Sequence, residues 1–136
     1  MPITYNVYRD GRFIHAVAKG PLTSDEFVQY ELDHATDKRI KSPLAELLEI
    51  EPGACKDITM EDMNRVLEQR SRIKRSPARH RCAIVVSPTD TRCWDLAKFY
   101  EAMVPLHNPE TTIVFGDAEV ARVWLGVDEE SYHHTE

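Results

Sequence analysis

Acidic and hydroxyl side chains follow the predicted strands of this chain, in the stretches 51–59, 87–90 and 115–117. The carboxyl ends of parallel strands meet at one edge of an open α/β sheet, where such sheets bind their ligands. Carboxylates at this edge would repel phosphate but would suit a cation or a basic loop of a partner. The residues predicted to make such a contact are Glu51, Asp57, Thr59, Ser87 and Asp90.

The histidines and cysteines show no spacing that is typical of a metal site or a nucleophile. None of the six histidines pairs with another at i, i+4 with a Glu between them, as a helical zinc site requires, so no metal is predicted. Cys55, Cys82 and Cys93 are odd in number and widely spaced, which predicts reduced thiols. Cys55 follows a predicted strand and precedes a helix, so a reactive thiolate is the alternative there. The sequence shows no catalytic motif, and no cofactor is predicted.

Charge and hydropathy exclude several classes of partner. The net charge of −6 argues against binding nucleic acid through the whole surface. The run from Arg70 to Arg81 holds six basic residues, which we interpret as a solvated helix end or, alternatively, as an anion or acidic-partner patch. No apolar run approaches the roughly 20 residues of a membrane span. The first residues lack the pattern of a signal peptide, so a cytoplasmic location is predicted.

The elements that must position these residues alternate along the chain. A strand, an Asp-Gly turn and a second strand form a hairpin, after which helices and strands follow one another to residue 127. This order predicts one α/β domain with a mixed, mostly parallel five-stranded sheet and four helices. Thr23 and Thr59 are predicted helix caps, and Ser87 with Pro88 is predicted to begin the third helix. Residues 128–136 are predicted to be a flexible tail.

Three stretches carry a resemblance to a known family: MPITYNV with its Asp-Gly hairpin, GPLTSDEF, and IVFGDAEVARVWLG. Together they resemble the SpoIIAA-like branch of the STAS superfamily, the anti-sigma-factor-antagonist fold, over about residues 1–127. The resemblance implies strands in near-sequential order and a small bacterial binding module rather than an enzyme. In the antagonists, a Ser or Thr that opens the helix after the third strand is phosphorylated within an Asp-Ser-Ser-Gly-like motif. Here Asp57 and Thr59 stand at the matching positions, which makes Thr59 the possible phosphoacceptor.

Two functions from different classes are therefore carried forward, with an enzyme that uses the acidic edge as a third class. The first is regulatory protein–protein contact, with a partner protein or with a second copy of the chain as a homodimer. The second is binding of a small apolar ligand, because relatives of this fold in the CRAL-TRIO group resemble lipid carriers. The predicted ligand pocket lies between the sheet and the first and third helices, and its lining residues are Phe27, Tyr30, Trp94 and Phe99.

Overall fold

The computed structural model describes residues 2–73, 80–106 and 110–132. Its strands are β1 (Ile3–Tyr8), β2 (Phe13–Ala18), β3 (Leu44–Ile50), β4 (His80–Val86) and β5 (Glu110–Phe115). Its helices are α1 (Ser24–Thr36), α2 (Met60–Ser71), α3 (Thr91–Met103) and α4 (Ala118–Leu125). The strands form one sheet in the order β1-β2-β3-β4-β5, in which β1 is antiparallel to β2 and all other neighbours are parallel. The predicted fold class is thus confirmed.

The two faces of the sheet are covered unequally. Helices α1, α2 and α3 pack on one face, because three right-handed crossovers that advance in one direction along a sheet place their helices on the same side. The main core lies there, with Leu48, Ile50, Ile84 and Val86 from the strands. Helix α4 crosses to the other face, where Ala121 and Leu125 pack on a smaller core.

Side-chain caps determine where the helices begin. Thr23 and Thr59 both form the predicted capping boxes, with Glu26 and Asp62 respectively. The predicted start of the third helix at Ser87 is wrong, because α3 begins at Thr91 with Asp90 as its cap. The Asp90 carboxylate accepts a hydrogen bond from the Cys93 amide, so the cap is the residue that reaches the first turn rather than the one before the proline.

The segment after α4 packs back on the sheet. Residues Glu129–Tyr132 form a short 3₁₀ turn, in which Ser131 is buried. The Tyr132 ring contacts Tyr8 and Phe13, with ring centroids 5.0 and 5.2 Å apart. The packed chain therefore extends beyond residue 127, where the predicted domain ends. The rest of the predicted tail, residues 133–136, lies outside the described residues.

Candidate functional site

The loops at the carboxyl ends of the parallel strands come together as predicted. We call the loops 51–59 and 87–90, with Gly116 and Asp117, the carboxyl-end rim. The Gly53 amide donates to the Asp90 carboxylate at 2.9 Å, and Arg92 donates to the backbone carbonyls of Cys55 and Ile58. A Cβ added to Gly116 would stand 2.7 Å from the Pro88 ring, so the strand-end loops touch. Hydrogen bonds between side chains and backbone groups thus join the loops of the rim.

The predicted contact residues divide into two groups within this rim. Thr59 accepts a hydrogen bond from the Asp62 amide at 3.0 Å, Ser87 bonds the Thr89 hydroxyl at 2.9 Å, and Asp90 caps α3. These three side chains therefore stabilise local structure. Glu51 and Asp57 are exposed to solvent. Thr59 is also exposed, and its role as a phosphoacceptor stays a prediction.

Two buried thiols lie beneath the rim. The Sγ atoms of Cys55 and Cys93 are 3.1 Å apart, and Cys93 lies in the first turn of α3. The hydrogen bond from Cys93 lowers the pKa of the Cys55 thiol, although burial opposes that shift. All three cysteines are free in the structure. A reactive Cys55 thiolate stays a prediction, and the contact with Cys93 gives that thiol a partner 3.1 Å away.

We expect hydrogen peroxide to join Cys55 and Cys93 in an intramolecular disulfide. The Cys55 thiolate attacks the peroxide to give a sulfenic acid and hydroxide, and the Cys93 thiol then displaces water from the sulfenic acid as the S–S bond forms. Mass spectrometry should show the loss of two hydrogens and a linked pair of peptides. A Cys82→Ser control should still form the bond, and Cys93→Ser should not. A disulfide that includes Cys82 would contradict the prediction.

A second group of polar residues lies in the core, at the amino ends of β3, β4 and β5. It joins all three helices of the main face to three strands. We call it the buried polar cluster, and its members are Tyr30, Glu31, His34, Glu46, Arg70, His80, Tyr100 and Glu110. The side chains of His34, Glu46 and Arg70 are each 1% exposed. Charged groups are seldom buried to this extent unless they are paired or bind a ligand.

Arg70 is the permanent cation of the cluster. Its guanidinium bonds Glu110, and its Nε lies 3.3 Å from Glu31 Oε2. Burial opposes the charge of Arg70, but the Coulomb attraction of Tyr100, Glu31 and Glu110 outweighs it and raises the pKa of the guanidinium. The interpretation of this end of α2 as solvated is therefore wrong for Arg70. Lys74, Arg75 and Arg79 lie outside the described residues.

Glu46 is the carboxylate at the centre of the cluster. Its Oε2 accepts a hydrogen bond from the Tyr30 hydroxyl at 2.6 Å, and its Oε1 lies 2.8 Å from His80 Nε2. Burial would raise the pKa of Glu46, but the attraction of His34 and the hydrogen bond with His80 outweigh burial and lower it from 4.5 to about 2. Burial also raises the pKa of the Tyr30 hydroxyl well above its ordinary range. Glu46 is thus charged at neutral pH and Tyr30 is the neutral donor to it.

An internal cavity adjoins the cluster, between the sheet and α1, α2 and α3. Its volume is about 40 Å³, and its walls are mostly apolar, with Glu31, Glu46 and Tyr100 at the polar end. Of the residues predicted for a ligand pocket, Phe27 lines this cavity. Tyr30 instead bonds Glu46, and Trp94 and Phe99 are half-buried against the main core. This volume exceeds the roughly 10–15 Å³ that a single water molecule needs.

The sequence contained a signal for this cluster that the search for histidine pairs missed. Glu46 stands in the otherwise apolar run Leu44–Ile50, and Arg70 falls on the apolar side of α2. Glu31 and His34 are three residues apart on the buried side of α1. A charged residue at a core-facing position indicates a buried partner, but the partner cannot be named until the topology brings the elements together.

Comparison of the chain with protein-family models, with curated proteins and with solved structures gave no match. None of the helices in the described ranges is both long enough and apolar enough to cross a membrane.

Proposed function

We propose that this chain is a non-enzymatic regulatory domain of SpoIIAA-like type, which acts by protein–protein contact at the carboxyl-end rim. The observation that carries the proposal is the set of hydrogen bonds that join the loops of that rim. Asp90 and Arg92 bind the loop that displays Glu51 and Asp57, so these carboxylates are presented on backbone that is already fixed. A surface that is ordered before binding loses less conformational entropy when it binds.

The chemistry of the rim favours a partner with a basic loop. Glu51, Asp57 and Glu61 are exposed there, and Met60 beside them is 47% exposed. Carboxylates steer a basic partner to the surface, and a flexible thioether supplies an apolar contact of adaptable shape. Such binding weakens as salt concentration rises, because exposed charges are screened.

The experiment is photo-crosslinking from a reactive residue placed at Met60, in an extract of the source cells. Its matched control carries the reactive residue at Leu32, which is 42% exposed on α1. We expect a defined product from position 60 that is absent from position 32 and is lost in the Glu51→Lys/Asp57→Lys background. A linked pair of identical chains would identify a homodimer. The proposal would be contradicted by products that are the same at both positions, or by products that still form in the charge-reversed variant.

Binding of a small apolar ligand is the second candidate, favoured by the cavity that Phe27 lines. The volume of that cavity, about 40 Å³, limits the occupant to a few atoms, whereas drug-sized ligands need about 300 Å³ or more. Native mass spectrometry of the purified protein would detect such an occupant. A retained molecule of only a few atoms would favour this candidate over contact at the rim.

A further inference from the structure

We propose that Glu31, His34 and Glu46 form a binding site for one divalent transition-metal ion, with Zn²⁺ as its best representative. His34 Nε2 lies 3.3 Å from Glu31 Oε2 and 3.8 Å from Glu46 Oε2, and the three groups offer ligand atoms within 4.8 Å of one another. A tetrahedral ion with bonds of about 2.0–2.2 Å holds its ligands about 3.3–3.6 Å apart. The three side chains therefore stand close to coordinating positions.

The buried ring nitrogen of His34 is independent evidence for a ligand. The side chain is 1% exposed, yet its Nε2 makes no hydrogen bond to any residue that the structure describes. Buried polar atoms are nearly always bonded, so an unsatisfied ring nitrogen between two carboxylates needs an explanation. A metal ion between them would accept the lone pair of this nitrogen.

The neighbours of the two carboxylates fit the role of outer-shell residues. Tyr100 donates to Glu31 Oε1 at 3.2 Å, and Tyr30 donates to Glu46 Oε2 at 2.6 Å. Carboxylates that bind metals in proteins are usually held in this way by hydrogen bonds from a second layer of residues. The site therefore has its orienting groups in place on α1 and α3.

The charge of the cluster also favours a divalent cation. Glu31, Glu46 and Glu110 carry three negative charges, and Arg70 supplies one positive charge. A divalent ion would add positive charge beside the buried carboxylates of Glu31 and Glu46, which attract a cation strongly because little solvent screens them.

The cavity provides the remaining coordination position. Glu31 and Glu46 both line it, so a water molecule there can complete the shell of an ion that has three protein ligands. One imidazole nitrogen with two carboxylate oxygens suits Zn²⁺ better than Mg²⁺ or Ca²⁺, which prefer oxygen alone. The second acidic group of the cluster, Glu46 with Cys82 and Glu110, is the weaker location because Arg70 donates a hydrogen bond to Glu110, and because it lacks the unbonded imidazole nitrogen of His34.

Calorimetric titration of the chelator-treated full chain with Zn²⁺ tests the site, with native mass spectrometry for stoichiometry. We expect one ion per chain, and affinity at least about tenfold weaker in His34→Gln, since changes even to outer-shell residues cause losses of 10–100-fold. The matched control is His15→Gln, which alters a His–Glu pair on the other face of the sheet and should bind as the unchanged chain does. An unchanged chain that binds no Zn²⁺, or a His34→Gln variant that binds equally well, would overturn the proposal.

X-ray absorption at the zinc edge gives a second test that needs no variant. The unchanged chain loaded with one Zn²⁺ should show one imidazole with oxygen neighbours and no sulfur at about 2.3 Å. A sulfur neighbour would place the ion at Cys82 or at the Cys55–Cys93 pair and would refute the proposed ligands. A first shell without an imidazole would refute them as well. Neither result bears on the carboxyl-end rim, which lies at the opposite end of the strands.

Discussion

Replacement of Arg70 by Met is expected to lower the free energy of unfolding by about 3–5 kcal/mol, the loss seen when one partner of a buried ion pair is removed. Met retains much of the side-chain volume, so the main effect is the loss of charge. Glu31 and Glu110 would then remain buried without the cation that neutralises them. Urea denaturation at neutral pH, followed by circular dichroism in the presence of a chelator, measures the change.

Arg72→Met is the matched control on the same helix. Its guanidinium pairs with Glu68 at 2.7 Å on the surface, where its side chain is 65% exposed. Exposed i, i+4 pairs contribute about 0.3–0.5 kcal/mol, so this variant should be nearly as stable as the unchanged chain. The double variant Arg70→Met/Glu110→Gln should recover part of the loss, because it removes one of the two stranded carboxylates. Equal effects at positions 70 and 72 would contradict a charged cluster in the core.

Replacement of Glu46 by Gln is expected to lower the free energy of unfolding by about 3 kcal/mol at pH 7, and by progressively less as the solution is acidified. The pKa of Glu46 is lowered from 4.5 to about 2, and each pKa unit corresponds to about 1.4 kcal/mol. A carboxyl with a lower pKa in the folded chain stabilises the fold above its unfolded pKa. That contribution is lost as pH falls from about 4.5 towards 2.

The measurement is the difference in unfolding free energy between the unchanged chain and Glu46→Gln, obtained by urea denaturation at several pH values without metal. The matched control is Glu49→Gln on the same strand, whose carboxylate lies 2.7 Å from His15 on the opposite face and is 30% exposed. A partly exposed pair contributes about 1 kcal/mol or less. A difference for Glu46→Gln that does not shrink in acid would show that its charge is not what stabilises the fold.

Local sequence patterns predicted the secondary structure and the sheet of this protein well. The alternation of apolar strands with capped helices was enough for the five-stranded sheet, and Thr23 and Thr59 both cap the helices assigned to them. These features depend on residues a few positions apart. The start of α3 was misplaced for the same reason: Ser87 satisfies the local rule, whereas Asp90 also binds Gly53 from another loop.

The sequence predicted the rim but not the cluster, since the two depend on different kinds of information. Strand-end loops gather wherever parallel strands are neighbours, so Glu51 and Asp90 were placed together from element order alone. Glu46, Arg70 and Glu110 come from three elements, and only strand register and helix placement bring them into contact. Their individual patterns showed polar residues at core positions without showing which of them meet.

The order of the strands across the sheet is the same as their order along the chain. During synthesis, each strand therefore leaves the ribosome after the strand beside which it packs. The ion pairs of the buried polar cluster do not become available in that order. A chain synthesised only through α2 contains Arg70 and Glu31 but lacks Glu110, which opens the last strand. Arg70 therefore lacks its hydrogen-bonded partner until β5 emerges, which favours folding of the whole domain in one cooperative step.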